Sequence, residues 1–241
     1  MYAPQTTHRK LVSGIRQYFR KNGFIKAVLG VSGGVDSALC ARLSVDALGA
    51  ENVFGVIMPE KGITAKTDVI DAVSLCKIMR IPYSVIEISH IVRDYKKVPW
   101  KRNKISLMNI KPRIRANILY DYANSHKALV IGTSNKSEIL LGYGTKHGDL
   151  ASDILPIGAL YKTDVLRLAE FLKLPKAITE KTPSAGLYKG QTDASELGAE
   201  YSVLDRILQG KSTEDKNLIS SVKARMRQSR HKSMSTPVVR V

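Results

Sequence analysis

Short apolar runs alternate along the chain with longer stretches whose apolar residues recur every three or four positions. Leu11, Ile15 and Phe19 stand at helical spacing and predict a leading helix. Residues 25–31 read as a buried strand. Residues 35–48 read as a helix, with Leu39 and Leu43 on one face and Gly49 as its stop. A second strand is expected at 53–58, ended by Pro59, and a helix at 65–79 with Val69, Val73 and Cys76 at helical spacing. Residues 83–88 alternate well enough for a third strand. Residues 128–131 form a fourth, which runs directly into Gly132 and Thr133. Strands alternating with helices of this length predict an α/β fold, an open and mostly parallel sheet with helices on both faces. Two long connections interrupt the pattern. Residues 96–107 hold Pro99 and Trp100, and residues 174–192 hold Pro175, Pro183, Gly186 and Gly190. Loops of that length are either functional or disordered.

Composition narrows the class without fixing it. The chain has 241 residues, enough for one sizeable core, and it shows neither an internal repeat nor a low-complexity tract. A single domain over 1–241 is the economical reading, with a basic C-terminal segment at 211–241. No apolar run approaches the roughly 18 residues of a spanning helix. Residues 1–10 also lack the apolar stretch of a secretory signal, so a cytoplasmic protein without a membrane segment is expected. Cys40 and Cys76 both fall in apolar-periodic stretches and read as buried free thiols. Neither a CxxC pair nor an HExxH string is present to hold zinc.

The formal net charge of +17 requires a partner or an explanation. Residues 96–115 contain eight Lys or Arg and no acid, and residues 211–241 carry eight more against Glu214 and Asp215. A nucleic acid, a substrate with several phosphates, or simply a solvated basic face would each account for it.

One motif bears on this choice, although a phosphate-bearing substrate accounts for only part of the charge. The strand at 25–31 leads into Gly30-Val31-Ser32-Gly33-Gly34-Val35-Asp36-Ser37, and a helix follows. Ligands of parallel sheets lie beyond the carboxyl ends of strands, where helix N-termini present free N–H groups. Gly33 and Gly34 let backbone amides approach an anion, and Ser32 and Ser37 add hydroxyl donors. The loop lacks the lysine of a Walker A motif and the spacing of GxGxxG. Asp36 beside phosphates would repel them, and a magnesium ion resolves that conflict.

The order Ser-Gly-Gly-x-Asp-Ser resembles the PP-loop of ATP pyrophosphatases, which split ATP between its α and β phosphates. Three further stretches resemble the ammonia-dependent NAD synthetase family within that class. The first is Asn109-Ile110-Lys111-Pro112-Arg113-Ile114-Arg115, where Pro112 replaces a usual Ala and Ala116 a usual Met. The second runs through Gly132-Thr133-Ser134-Asn135-Lys136-Ser137-Glu138, then Gly142 to Asp149, Asp153-Ile154-Leu155-Pro156 and Leu160-Tyr161-Lys162. The third is Lys181-Thr182-Pro183-Ser184-Ala185-Gly186-Leu187 with Gly190-Gln191-Thr192-Asp193, followed by Ala194 where Glu is usual. Near the end stands His231-Lys232.

The resemblance implies a Rossmann-like fold of the adenine nucleotide alpha hydrolase type and assigns roles to particular residues. ATP would be contacted by the loop from Gly30 to Ser37, by Thr133, Lys162 and Ser184. Magnesium would be held by Asp36 and Glu138, and deamido-NAD by Arg113, Lys146, Asp153, His231 and Lys232. The implied reaction joins ammonia to deamido-NAD through an acyl adenylate, with ATP converted to AMP and pyrophosphate. Lys162 would act catalytically on phosphate charge, and Asp153 is the candidate to take a proton from ammonium. The family also implies a homodimer. Ammonia is expected free or from a separate protein, because the phosphate loop already begins at Gly30 and leaves no room for a glutaminase domain. Bland alternatives remain at single positions. Asn135 and Glu138 also fit a capping box, Arg113 and Arg115 fit helix-surface charges, Lys162 fits a helix start, and His231-Lys232 fits a basic tail. Two rival functions stay open. One is a PP-loop enzyme modifying tRNA, although no obligate nucleic-acid partner is expected. The other is a nucleotide-binding module without catalysis.

Overall fold

The computed structural model describes residues 3–211 and 215–239. The leading helix α1 (Pro4–Lys21) buries Ile15 and Phe19 and delivers the chain to β1 (Lys26–Gly30). There follow α2 (Val35–Leu48), β2 (Val53–Ile57), α3 (Lys66–Ile78), β3 (Tyr83–Val85), α4 (Ser89–Asp94), α5 (Lys104–His126) and β4 (Ala128–Val130). Six helices complete the described chain. They are α6 (Lys136–Leu141), α7 (Lys162–Phe171), α8 (Lys176–Thr179), α9 (Asp193–Leu197), α10 (Tyr201–Leu208) and α11 (Lys216–Ser229).

The four strands form one parallel sheet in the order β3-β2-β1-β4. Alternation along β1 shows why both faces are covered. Ala27 and Leu29 pack into a cluster with Phe19 of α1, Leu39 and Leu43 of α2, Leu75 of α3 and Leu168 of α7. Val28 points the other way, into a cluster with Val56, Val92 of α4 and Ile114 and Ala123 of α5. Each such fully buried aliphatic side chain contributes about 1.5–3 kcal/mol. A charge at Leu29, which is fully buried, would therefore undo the sheet's larger core.

Chain direction then locates the crevice. The connections through α2 and α3 carry the chain outward from β1 to β2 and β3. The long helix α5 carries it back across to β4 on the far side of β1. The strand order reverses between β1 and β4, and the crevice outside their carboxyl ends is where open α/β sheets take ligands. The phosphate-loop string follows β1, and Gly132 to Asn135 follows β4. A third apolar cluster, with Leu141 of α6, Tyr201 and Leu204 of α10 and Val222 of α11, props α6 from behind.

Three expectations change. The connection expected at 96–107 ends at Asn103, whose side chain caps α5 by accepting from the Ser106 amide at 2.8 Å. The third strand stops at Val85. The Ile86 amide still reaches the Ile57 carbonyl at 2.8 Å, and then the chain turns into α4. The connection at 174–192 contains α8. Cys40 and Cys76 are buried free thiols, as expected. Of the basic segment at 211–241, residues 212–214 and 240–241 lie outside the described residues. Among the described residues no helix is long and apolar enough to cross a membrane.

Candidate functional site

The phosphate loop is shaped by its own hydroxyls. Ser37 Oγ accepts from the Ser32 amide at 3.2 Å and donates to the Gly34 carbonyl at 2.9 Å, while Ser32 Oγ accepts from the Gly34 amide at 3.2 Å. Gly33 adopts a left-handed φ of +82°, and the carbonyl oxygen of Asp68 would stand 2.4 Å from any Cβ placed there. Only glycine meets both demands. Gly34 is the N-cap of α2 and supplies no side chain to it, so the first-turn amides of that helix remain for an anion.

Asp36, in the first turn of α2, faces β4's loop. Its Oδ1 accepts from Asn135 Nδ2 at 2.9 Å, and its Oδ2 pairs with Lys162 Nζ at the start of α7. Glu138 satisfies both readings of its position. Its Oε2 accepts from the Asn135 amide at 3.1 Å while its own amide donates to Asn135 Oδ1 at 3.0 Å, a complete capping box. Its Oε1 is left 3.9 Å from Lys162 Nζ. Burial, and then Asp36, push the Glu138 carboxyl well above the usual range, and the nearby Lys162 charge only partly opposes this. Burial works against the Lys162 ammonium too, but Asp36 and Glu138 outweigh it and its pKa is raised.

Two half-buried carboxylates around one buried cation form a place built for positive charge. Among the described residues no group of three His, Cys, Asp or Glu could hold a metal by itself. The oxygen set of Asp36 and Glu138 fits magnesium in its usual form, with one or two carboxylates completed by substrate phosphates and water.

Two residues that support this centre escaped the sequence reading. Asp205 of α10 is 1% exposed and accepts from Ser137 Oγ and from the Thr163 amide at 2.9 Å. Ser137 Oγ in turn accepts from the Lys162 amide at 3.0 Å, so the start of α7 is fixed at two successive residues. Asp193 accepts from Tyr143 at 3.0 Å and Tyr201 at 3.1 Å, and the Tyr201 ring lies 5.4 Å from Lys162 Nζ. Asp193 stands within a quoted motif, whereas nothing in the sequence around Asp205 marks it.

The remaining expected residues form a second group. Arg113 of α5 donates from Nε and Nη2 to the Lys146 carbonyl, each at 3.3 Å. Lys146 and Lys232 line a groove of about 360 Å³ together with Ile139, Leu155 and Met234. Lys232 Nζ is committed to the carbonyls of Gly142 and Gly144, at 2.9 and 3.0 Å. His231 is exposed, with Nδ1 3.1 Å from the Gln228 carbonyl. Thr133 stands three residues beyond the end of β4. Ser184 lies on the surface of its loop and accepts from the Gly186 amide at 3.1 Å. Asp153 is engaged elsewhere. Its Oδ2 accepts from the Val130 amide at 2.7 Å and its carbonyl accepts from Tyr18 at 2.8 Å. Neither contact joins it to the Asp36–Glu138–Lys162 cluster.

The model of the family described as NAD synthase matches residues 7–236. The chain belongs to the NAD synthase family. An NH(3)-dependent NAD(+) synthetase from Archaeoglobus fulgidus is 47% identical over 231 residues, covering 94% of this chain and 93% of the relative. Among solved structures, an NMN synthetase from Francisella tularensis has a TM-score of 0.94 at 32% identity and covers all of both chains. An NH3-dependent NAD synthetase from Campylobacter jejuni has a TM-score of 0.84 at 35% identity, covering 99% of this chain and 100% of that one. Like its relatives, this NAD synthase family member is a ligase with a PP-loop, Rossmann-like fold.

Proposed function

We propose that the chain amidates deamido-NAD with free ammonia, giving NAD while ATP becomes AMP and pyrophosphate. The observation that carries the reading is the buried Lys162 ammonium, paired with Asp36 from the phosphate loop and facing Glu138 from the other side of the strand-order reversal. A non-catalytic nucleotide module has no use for a buried cation between two carboxylates at the end of its phosphate loop.

In the first step a carboxylate oxygen of the substrate attacks the α-phosphorus of ATP. The acyl–phosphate bond forms, the bond to the bridging oxygen breaks, and pyrophosphate leaves with the electron pair. Gly30, Val31, Ser32, Gly33, Gly34, Val35 and Ser37 cradle the departing phosphates with amides and hydroxyls, Thr133 and Ser184 hold the rest of ATP, and Lys162 offsets charge building on the leaving oxygen. Magnesium held through Asp36 and Glu138 neutralises phosphate charge when bound. In the second step ammonia attacks the activated carbonyl, the acyl–oxygen bond breaks, AMP leaves, and the extra proton on nitrogen passes to solvent. Arg113, Lys146, Asp153, His231 and Lys232 are assigned to the dinucleotide. The proposal extends to a single domain and to a cytoplasmic homodimer, the latter tested by light scattering.

A second reading rests on one observation. The NMN synthetase superposes over the whole of both chains and with a higher TM-score than the C. jejuni NAD synthetase. On that reading the acid amidated is a mononucleotide.

One experiment tests both. The protein is incubated with ATP, magnesium and ammonium, and with either deamido-NAD or nicotinic acid mononucleotide, and products are quantified. Equimolar NAD, AMP and pyrophosphate, with the larger kcat/KM for the dinucleotide, is expected. A larger kcat/KM for the mononucleotide installs the second reading. ADP with orthophosphate, or no product from either acid, refutes both.

A further inference from the structure

The loop that carries Ser184 is tied down at two points by lysines. Lys181, just after α8, donates from Nζ to Asp71 Oδ2 at 2.6 Å, to Asp68 Oδ1 at 2.9 Å and to the Gly33 carbonyl at 3.1 Å. An ammonium has three donors, so none is left over for a phosphate. Six residues on, the Leu187 carbonyl accepts from Lys111 Nζ at 2.7 Å, and the same ammonium pairs with Glu60. The first tie ends on the opening turns of α3, and the second on Glu60, between β2 and α3. Only the first reaches the phosphate loop.

Gly33 is thereby held from two directions. The Asp68 carbonyl packs against its Cα, and Lys181 holds its carbonyl oxygen. A peptide is planar, so fixing the Gly33 carbonyl fixes the direction of the Gly34 amide on the opposite edge of the same unit. Burial works against the Lys181 charge, but the hydrogen bonds it donates to Asp71 and Asp68 outweigh it and the group stays an ammonium. Its charge is also largely balanced by those two acids, which makes geometry its main contribution to the loop.

We propose that Lys181 is a positioning residue for ATP, which links the seating of the 180–192 loop to the orientation of the Gly33–Gly34 peptide in the phosphate loop. This rests on the reading of that loop as the ATP site. When the loop carrying Ser184 is seated, the amides of the phosphate loop are set for phosphate. When it lifts, Lys181 leaves with it and the Gly33–Gly34 peptide is held only by the bond from the Gly34 amide to Ser32 Oγ.

The test uses the intact protein and two readouts. ATP affinity is measured by calorimetric titration without the acid substrate, and KM and kcat are measured in turnover. Lys181→Met is expected to weaken ATP binding and raise its KM by about tenfold, with kcat within about threefold of wild type and the KM for the dinucleotide unchanged. Lys181→Arg should recover most of the loss. Asp68→Asn removes one arm of the clamp, keeps the fold, and is expected to lose about threefold, and less than that when added to Lys181→Met. Unchanged ATP affinity with a lower melting temperature would reduce Lys181 to a loop anchor and overturn the proposal, as would an equal rise in KM for both substrates. If the wild-type protein itself fails to bind ATP, the reading of the site falls instead. Should Lys181→Met not fold, Asp68→Asn and Lys181→Arg decide the matter by the same titration.

Discussion

Replacing Lys162 with Met removes the cation at the centre of the site while keeping a side chain of similar volume. Lys162 is 2% exposed, so the change leaves Asp36 and Glu138 facing each other with only Asn135 and solvent at the rim to stabilise them. Breaking a buried pair by deleting one partner costs about 3–5 kcal/mol. For a chain of this size that corresponds to a fall in Tm of about 6–20 °C. The sign of the pH dependence follows from Glu138. Its folded pKa lies above the ordinary 4.5, so its ionisation opposes folding, and stability falls as pH rises from there through the raised value. The Lys162 charge lowers that pKa, so its removal extends the window upward. Lys162 itself has a folded pKa above 10.5, and its contribution is fully present at neutral pH in the wild type. The deficit of Lys162→Met should therefore be larger at about pH 8 than at about pH 6.

Thermal and urea melts of both proteins at the two pH values measure this, and the double variant Lys162→Met, Glu138→Gln should recover part of the loss. Equal stability at the higher pH would refute the reasoning, because the ammonium would then be doing no more than an apolar side chain does. So would a deficit that does not change with pH. Turnover is a separate matter. It should fall by at least about 10²-fold whatever the stability outcome, as expected on losing a group aimed at developing charge.

The two glycines of the phosphate loop should respond differently. Gly33→Ala forces a Cβ into the Asp68 carbonyl at a left-handed φ and should lower the melting temperature and abolish measurable ATP binding, whereas Gly34→Ala, with an ordinary φ and its nearest neighbour at 3.4 Å, should melt within a few degrees of wild type. Glu138→Gln keeps the capping geometry but not the charge. It should melt no lower than wild type, while the magnesium concentration for half-maximal turnover rises about tenfold, and an unchanged magnesium requirement would leave Glu138 a cap alone.

Much of the fold was legible because its signals are local. The buried strands β1, β2 and β4 are apolar runs, and the phosphate loop declares itself by hydroxyls and glycines between a strand and a helix. What escaped is long-range or locally contradictory. The start of α5 sits in a run with Pro99, Trp100 and eight basic residues, and Pro112 lies inside the helix, so local propensity pointed to a loop where Asn103 caps a helix. Lys181 meets Gly33 across 148 positions and Asp205 meets Ser137 across 68. No spacing rule reaches that far. Sheet order is equally silent in the sequence, since only the crossing of α5 places β4 beside β1.

The acid-free basic run at 96–115 illustrates the same limit, and its structure changes what it means. As sequence it suggested a grip on a polyanion. In the fold, four of its cations are engaged by other parts of the chain. Lys104 lies 4.7 Å from the Tyr188 ring centroid, Lys111 holds Glu60 and the Leu187 carbonyl, Arg113 holds the Lys146 carbonyl, and Arg115 donates to the Met58 carbonyl at 3.1 Å. Two of these fasten the loop at 180–192, and the other two brace the segments at the carboxyl ends of β2 and α6. A surface meant for RNA phosphates needs its cations free in solvent, and this run uses half of its charge to hold the walls of a small-molecule crevice. Its lack of acids follows from the same use. A carboxylate among these residues would compete for Arg113 and Arg115, whose acceptors are backbone carbonyls, and carbonyls are the weaker partners.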